Sequence, residues 1–337
     1  MNLNILYFYF RILKSTLHFH RLINAVKIKT SYFLSYFGVL THWNTKPLFI
    51  SIEPTNICNL NCPECPVGMR TEQVKQVQVD MRVVQKTLDE LSQTLIHVIL
   101  YFQGEPLINR NFTDIVRYAH SKKILTSSST NAQLLTDSLA KEIVQSGLDR
   151  LIVSVDGATQ ETYGAYRVGG KLEKALAAIE YLAKWKKKLK SASPLIEVQF
   201  IVFKTNEHEM GVMKKLVKKY KADKLTFKTA QLYDFENGNP LLTSIKKYAR
   251  YELRSDGKYH IKSPLRNRCK RLWEGSVINS RGDVLPCCFD KDSKYAFGNV
   301  RNKPFSKEWH SEKAYNFRKG MLENRKQFDM CRNCTEK

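Results

Sequence analysis

Two neighbouring stretches decide how this chain is read: Leu48-Phe49-Ile50-Ser51-Ile52 and Cys58-Asn59-Leu60-Asn61-Cys62-Pro63-Glu64-Cys65. The first is a short apolar run with the composition of a buried strand. The second follows it closely and sets three thiols into eight residues. Soft sulfur donors on one tight loop suit an iron–sulfur cluster, zinc or Cu(I). A structural zinc takes four protein ligands, its cysteines usually paired two by two, and an electron-transfer [4Fe–4S] cluster also takes four. Three cysteines with no fourth nearby leave one iron open to a ligand that is not protein.

Outward from that loop, strand-like apolar runs alternate with amphipathic stretches. Strands are predicted at 48–53, 96–102, 124–128, 151–155, 196–203 and 224–228. Between them, helical faces are predicted at Val83, Val84, Thr87, Leu88 and Leu91, and at Phe112, Ile115, Val116 and Ala119. A third face joins Leu139, Ile143 and Val144, with Thr136 as its N-cap and Gly147 as its stop. The fourth runs through Leu172, Ala175, Leu176, Ile179 and Leu182, and the fifth through Met210, Met213, Leu216, Val217 and Tyr220. Such alternation predicts an α/β fold with a mostly parallel sheet, helix-covered and connected by right-handed crossovers. Six units are too few for a closed eight-stranded barrel, and chemistry in barrel folds sits at the C-terminal strand ends.

The chain has 337 residues, enough for a well-buried core and one or two domains, and 43% hydrophobic content argues against disorder. No secretory signal of the usual form is present, and the eight cysteines are clustered. Metal ligation in a reducing compartment is therefore expected rather than a disulfide scaffold, with a cytoplasmic location. The net charge of +23 favours nucleic acid, anionic membrane or an acidic substrate. The lysine runs at 184–190 and 214–221 have helical spacing and read as solvated helix faces, and no RNA-binding signature accompanies them. Residues 1–46 stand apart. No acidic residue precedes Glu53, while Arg11, Lys14, Arg21, Lys27 and Lys29 alternate with Leu, Ile, Phe and Tyr. The apolar runs at 5–10 and 32–40 fall short of the roughly 20 residues a spanning helix needs. The stretch reads equally as a basic amphipathic helix in a membrane interface, at the inner face, or as a helical extension packed on the following domain.

The C-x3-C-x2-C spacing resembles the signature of the radical S-adenosylmethionine (SAM) enzymes. The resemblance implies an open, partial (β/α)6 TIM-like barrel over 47–240. It also implies a [4Fe–4S] cluster on Cys58, Cys62 and Cys65 whose open iron is chelated by SAM. One electron from the cluster, supplied by a reductant such as flavodoxin or ferredoxin, then cleaves SAM to a 5′-deoxyadenosyl radical. Further SAM contacts carried over by the resemblance are Gly104 and Glu105 after the second strand, Ser129 and Asn131 after the third, and Ser154 and Arg167 around the fourth. Asp156 reads as an alternative substrate-facing group, and the 127–131 zone also has the composition of an Asx or Ser/Thr turn. Two positions depart from the family pattern: Gln103 stands for a glycine and Glu64 for an aromatic residue before the third cysteine.

Five further cysteines follow residue 262: Cys269, Cys287, Cys288, Cys331 and Cys334. Their arrangement resembles the shortened SPASM domain called twitch, a small α+β domain expected over 262–337. This implies one auxiliary [4Fe–4S] cluster on Cys269, Cys287, Cys331 and Cys334, with zinc as the rival occupant. Cys288 is left over and could replace Cys287. Val277 to Leu285, with Arg281-Gly282-Asp283 at its turn, reads as a hairpin that returns Cys287 toward Cys269. Trp273, Phe289, Phe297, Phe305 and Trp309 read as core packing. The expected function is abstraction of hydrogen from a peptide, protein or small molecule, the auxiliary cluster assisting oxidation or substrate binding. The alternatives are an RNA-modifying radical SAM enzyme and a zinc-binding module with a basic nucleic-acid or membrane surface.

Overall fold

The computed structural model describes residues 3–40, 44–69 and 75–335. Parts of the expected 1–46 extension and 262–337 domain, at 1–2, 41–43 and 336–337, therefore lie outside the described residues. Among the described residues there are eleven strands: β1 (Phe49–Ile52), β2 (His97–Ile99), β3 (Leu125–Thr130), β4 (Arg150–Ser154), β5 (Leu195–Val202), β6 (Lys224–Thr229), β7 (Tyr251–Leu253), β8 (Tyr259–Ile261), β9 (Gly275–Ile278), β10 (Asp283–Leu285) and β11 (Gly298–Asn299). The six strands predicted for the barrel are β1 to β6. The chain packs as two compact units, one of residues 1–8, 58–75 and 128–262, the other of 9–57, 76–127 and 263–337.

In the first unit β4, β5 and β6 pair in parallel. Helices Asp137–Gln145 and Leu172–Lys188 pack together, joined by the Trp185 indole donating to Asp137 at 3.0 Å. Thr136 caps the first as expected, accepting from Leu139 N at 3.3 Å. Its core residue is Ala140 rather than Leu139, which is half-exposed. The predicted face at Leu172, Ala175, Leu176, Ile179 and Leu182 is buried as drawn. In helix Met210–Lys219 only Met213 and Val217 of the predicted face are fully buried. One lysine departs from the solvated reading. Lys186 is buried and donates to Asp223 at 2.6 Å, because residues 172–188 turn that position inward. A hairpin of β7 and β8 closes the unit.

In the second unit β1 pairs in parallel with β2, and β2 with β3. Helices Met81–Leu91 and Phe112–Ser121 bury the faces read from their spacing. The C-terminal hairpin forms between β9 and β10, antiparallel, and β11 extends it. Unexpectedly, β9 adds in parallel to β1, Phe49 facing Gly275. A Cβ on Gly275 would come within 2.2 Å of the Phe49 ring, so the close pairing favours glycine here. Trp273, Phe297, Phe305 and Trp309 are core residues here, with Phe289 half-buried. Among the described residues, no helix is long and apolar enough to cross a membrane.

Candidate cluster-binding sites

In the first unit, Cys58, Cys62 and Cys65 share one packed cluster with Leu60, Tyr166 and Phe203. The loop holds its own turn, Cys65 N donating to Cys62 O at 3.2 Å and Met69 N to Cys65 O at 2.8 Å. Two strand ends strap it down. Beyond β3, the Asn131 amide donates to Asn59 Oδ1 at 2.8 Å and lies 3.8 Å from Cys58 Sγ. Beyond β4, Arg167 donates from Nε to Asp156 Oδ2 at 2.7 Å, while its Nη1 lies 3.9 Å from Cys62 Sγ. Asp156 is fully buried, and its other oxygen accepts from Ile201 N at 2.6 Å.

This network assigns Asp156 and Arg167 to each other and to the cysteine loop. Burial opposes the Arg167 charge, but Asp156 and Cys62 hold its pKa above the usual arginine value. Burial pushes the Cys62 thiol up, and Arg167 pulls it back. N–H donors aimed at sulfur are what a thiolate-ligated cluster uses to set its electron affinity. The donor set therefore fits a sulfur-bound cluster: three soft donors on one loop, two of them facing N–H groups of Asn131, just beyond β3, and Arg167, which caps helix Gln160–Tyr166. Among the described residues, no three Cys, His, Asp or Glu side chains converge as ligands of a single ion.

The departure at Glu64 has a local structural use. Its carboxylate accepts from Tyr233 N at 2.9 Å and from the Asn239 amide at 3.0 Å, tying residues 232–242 to the cysteine loop. Of the residues around 127–131, Ser127 and Ser129 lie within β3 rather than in a turn, because that strand runs on to Thr130. Asn131 does form an Asx turn, accepting from Gln133 N at 3.0 Å. Ser154 is buried at the end of β4.

In the second unit, Gly104 lies against the segment that leads to the cysteine loop. A Cβ there would collide with the carbonyl oxygens of Thr55 and Ile57, so the close approach requires glycine. Glu105 N donates to Ile57 O at 2.7 Å. The Glu105 carboxylate is buried and caps helix Pro106–Ile108, accepting from Leu107 N at 3.1 Å. Gln103, which stands for a glycine of the family pattern, donates its amide to Lys291 O at 2.7 Å.

The C-terminal cysteines come from three places in this unit. Cys269 precedes helix Arg271–Glu274, Cys287 follows β10, and Cys331 and Cys334 share one turn closed by Cys334 N to Cys331 O at 3.1 Å. Burial raises the Cys269 thiol, with Cys334 adding repulsion. Burial likewise pushes Cys331 up to about 11 against the pull of Arg325, with Cys269 and Cys334 both contributing. Cys287 rises well above the usual thiol value through its hydrogen bond with Cys288, then burial, with Cys269 close enough to add. These mutual shifts place Cys269, Cys331 and Cys334 within electrostatic reach of one another, with Cys287 facing both Cys269 and Cys288. Cys288 faces Arg271, whose Nη1 reaches its sulfur at 2.9 Å. Sequence reasoning missed two cations here. Arg325 also donates to the carbonyls of Arg266 and Arg268 at 3.3 and 3.1 Å, and neither it nor Arg271 occupies a spacing that marks it.

Two family models match this chain. Residues 52–199 match the family model of the radical SAM superfamily, and residues 269–335 match that of SPASM, an iron–sulfur cluster-binding domain. An AdoMet-dependent heme synthase of Methanosarcina barkeri is 26% identical over 305 residues, 80% of this chain and 84% of that one. A tungsten-containing aldehyde ferredoxin oxidoreductase cofactor-modifying protein of Pyrococcus furiosus is 27% identical over 302 residues, 80% of this chain and 83% of that one. Streptococcus suis SuiB bound to S-adenosylmethionine superposes with a TM-score of 0.62 at 15% identity, over 90% of this chain and 74% of that one. SuiB bound to precursor peptide SuiA gives the same TM-score at 14% identity, over 93% and 75%.

Proposed function

We propose, from the premise that this chain belongs to the radical SAM superfamily and carries a SPASM domain, that Cys58, Cys62 and Cys65 hold its SAM-cleaving cluster. The protein is an enzyme with an α/β partial (β/α)6 barrel fold, using SAM, a [4Fe–4S] cluster and auxiliary iron–sulfur chemistry. When bound, the cluster and SAM together supply a 5′-deoxyadenosyl radical that abstracts hydrogen from a peptide or small molecule. The reading of the site is carried by one observation: the three thiols share one packed loop, with Asn131 and Arg167 N–H groups directed at two of them.

Within that reading each side chain has a task. Arg167 keeps positive charge beside Cys62 because Asp156 pairs with it, favouring the thiolate that ligation requires. Asn131 orients the loop through Asn59, and Ser129 and Ser154 present hydroxyls at the ends of β3 and β4. Gly104 and Glu105 supply a backbone path and a carboxylate suited to the ammonium group of SAM. Cys269, Cys287, Cys331 and Cys334 would hold one auxiliary [4Fe–4S] cluster, which would supply an electron acceptor or an anchor for the substrate radical. The barrel extends over 47–240 and the auxiliary domain over 262–337. A flavodoxin or ferredoxin supplies the reducing electron, and residues 1–46 make a peripheral membrane contact.

The test is anaerobic reconstitution with iron and sulfide, followed by SAM and dithionite, with 5′-deoxyadenosine as the readout. Product at turnover above the protein blank is expected. Iron well below one cluster per chain, with no product, would sink the assignment.

A further inference from the structure

The helix Phe19–Leu34 is packed inside out. Its buried side is polar: Arg21, Asn24 and Ser31 lie inward with Ala25 and Ile28. Specific partners satisfy these groups. Arg21 donates to Lys123 O at 2.9 Å and Ser92 O at 3.1 Å, carbonyls at the ends of two helices of the same unit. Asn24 exchanges two hydrogen bonds with the Lys46 backbone, at 2.7 and 3.0 Å. The opposite side is apolar and open. Phe19 is 69% exposed, Val26 56%, Phe33 59% and, in the turn that follows, Phe37 69%. A helix ordinarily turns such a stripe to the core. Here the polar stripe is fixed inward by named contacts, so the outward apolar face is a feature of the packing and not a register slip.

The preceding helix Leu3–Thr16 carries a second one-sided stripe, Leu3, Leu6, Phe10 and Leu13, and buries no residue. Among the described residues, 15 of the 22 exposed large hydrophobic side chains fall between residues 3 and 39. That concentration exceeds what a monomer leaves bare without a use.

We infer that the outward face of Phe19–Leu34 and Phe37 docks on the surface of an anionic lipid bilayer. This deepens the membrane contact proposed for residues 1–46 and is independent of SAM chemistry. The charge pattern selects the occupant. Lys27 and Lys29 are exposed beside the apolar stripe, Lys14 flanks the stripe of the preceding helix, and no acidic residue precedes Glu53. A basic helix with Phe and aliphatic residues on one face lies in the plane of the interface, its lysines reaching the headgroups. At 16 residues it is about 24 Å long, too short to span the hydrocarbon core. A second copy of this chain would set Lys27 and Lys29 against their own kind with no carboxylate to answer them. RNA would gain nothing from Leu22, Ile23 and Val26, which form the middle of the face.

The experiment is co-sedimentation of the full-length, iron-loaded protein with phosphatidylcholine vesicles, with and without phosphatidylglycerol. Binding to the anionic vesicles is expected to exceed binding to the neutral ones at least tenfold, at about fivefold per engaged cation. The double variant Phe33→Ser and Phe37→Ser is expected to lose roughly a hundredfold on anionic vesicles. Lys27→Gln with Lys29→Gln is expected to lose about twentyfold there. Should the Phe double variant fail to fold, judged by circular dichroism, Leu22→Ser replaces it. Absence of vesicle binding, or binding indifferent to both lipid charge and variants, overturns the inference. So does a concentration-dependent dimer that the Phe variant abolishes, which gives the face to a second copy, or RNA that competes with vesicles at equal salt. Vesicle binding without 5′-deoxyadenosine formation would sink the functional proposal alone.

Discussion

The two cysteine constellations are built in opposite ways. Cys58, Cys62 and Cys65 lie within eight residues, and their mutual placement is set by a loop that closes its own turns. Cys269, Cys287, Cys331 and Cys334 come from segments up to 65 residues apart, and their meeting depends on β9, β10 and the C-terminal helices being in place. The first arrangement is local and offers three thiols, the number that the proposed open cluster site calls for. The second offers four thiols and is non-local, so under the proposed ligation metal binding and folding there would be one event. Each thiol group has an arginine partner, Arg167 for the loop and Arg325 for the quartet.

The largest contrast should come from removing one ligand of each. Cys58→Ala is expected to bring 5′-deoxyadenosine formation down to background and to remove about half of the iron, with the thermal transition of the C-terminal region unmoved. Cys331→Ala is expected to do the reverse: a transition lowered and broadened, about half of the iron lost, and SAM cleavage still measurable but no longer coupled to substrate oxidation. Iron analysis, calorimetry and nucleoside assay on the same two preparations check this. If Cys331→Ala also abolishes SAM cleavage while the barrel remains folded, the independence of the two sites is wrong.

The arginines sharpen the comparison. Arg167 is buried and paired with a fully buried Asp156, so Arg167→Ala leaves an uncompensated carboxylate. A cost of about 3–5 kcal/mol is expected by denaturant titration. Arg167→Lys keeps the charge but loses the fork, and it should recover only part of the stability and of the SAM cleavage rate. Arg325 instead donates to two backbone carbonyls. Arg325→Lys is therefore expected to act first on iron retention in the quartet.

A smaller effect is expected at Glu64, where two hydrogen bonds tie residues 232–242 to the cysteine loop. Glu64→Ala should cost about 1–2 kcal/mol, felt as faster amide exchange at Tyr233 before any global loss.

What could be read from sequence followed from how local each feature is. The six barrel strands and most helical faces were legible because they rest on apolar periodicity, and Val83 to Leu91 were assigned residue for residue. The cysteine trio was legible because its spacing is short. The pairing of β9 with β1 was not, since it joins residues more than 200 positions apart and its only mark is a glycine that admits the Phe49 ring. Arg167 was read from the resemblance as a partner for the SAM carboxylate, whereas its pairing with Asp156 and its approach to Cys62 are tertiary facts that spacing does not carry. Lys186 escaped for the same reason: its run is solvated elsewhere, and only the fold supplies Asp223. Glu64 read as a departure from a pattern, and its use appears only once the 232–242 segment is seen against it.

The smallest expected effect lies just outside the first constellation. Leu241 and Leu242 pack against the cluster that holds Cys58 and Cys65, and Glu207 tethers the chain directly after them. Its carboxylate accepts from Ser244 N at 2.8 Å, from the Thr243 and Ser244 hydroxyls, and from Lys204 at 3.1 Å. Partial burial opposes ionisation, but these donors together bring its pKa from 4.5 down to about 2. A depressed carboxylate stabilises the fold above its unfolded pKa, and the contribution is lost as pH falls through the folded value. Protection of the Ser244 and Ile245 amides should therefore hold from neutral pH to about 4.5 and decline toward 2. Glu207→Gln should show weaker protection throughout and lose that pH dependence, because a neutral amide cannot ionise and its NH2 faces donors. Equal acid sensitivity in Glu207→Gln and the parent would assign the tether to another group.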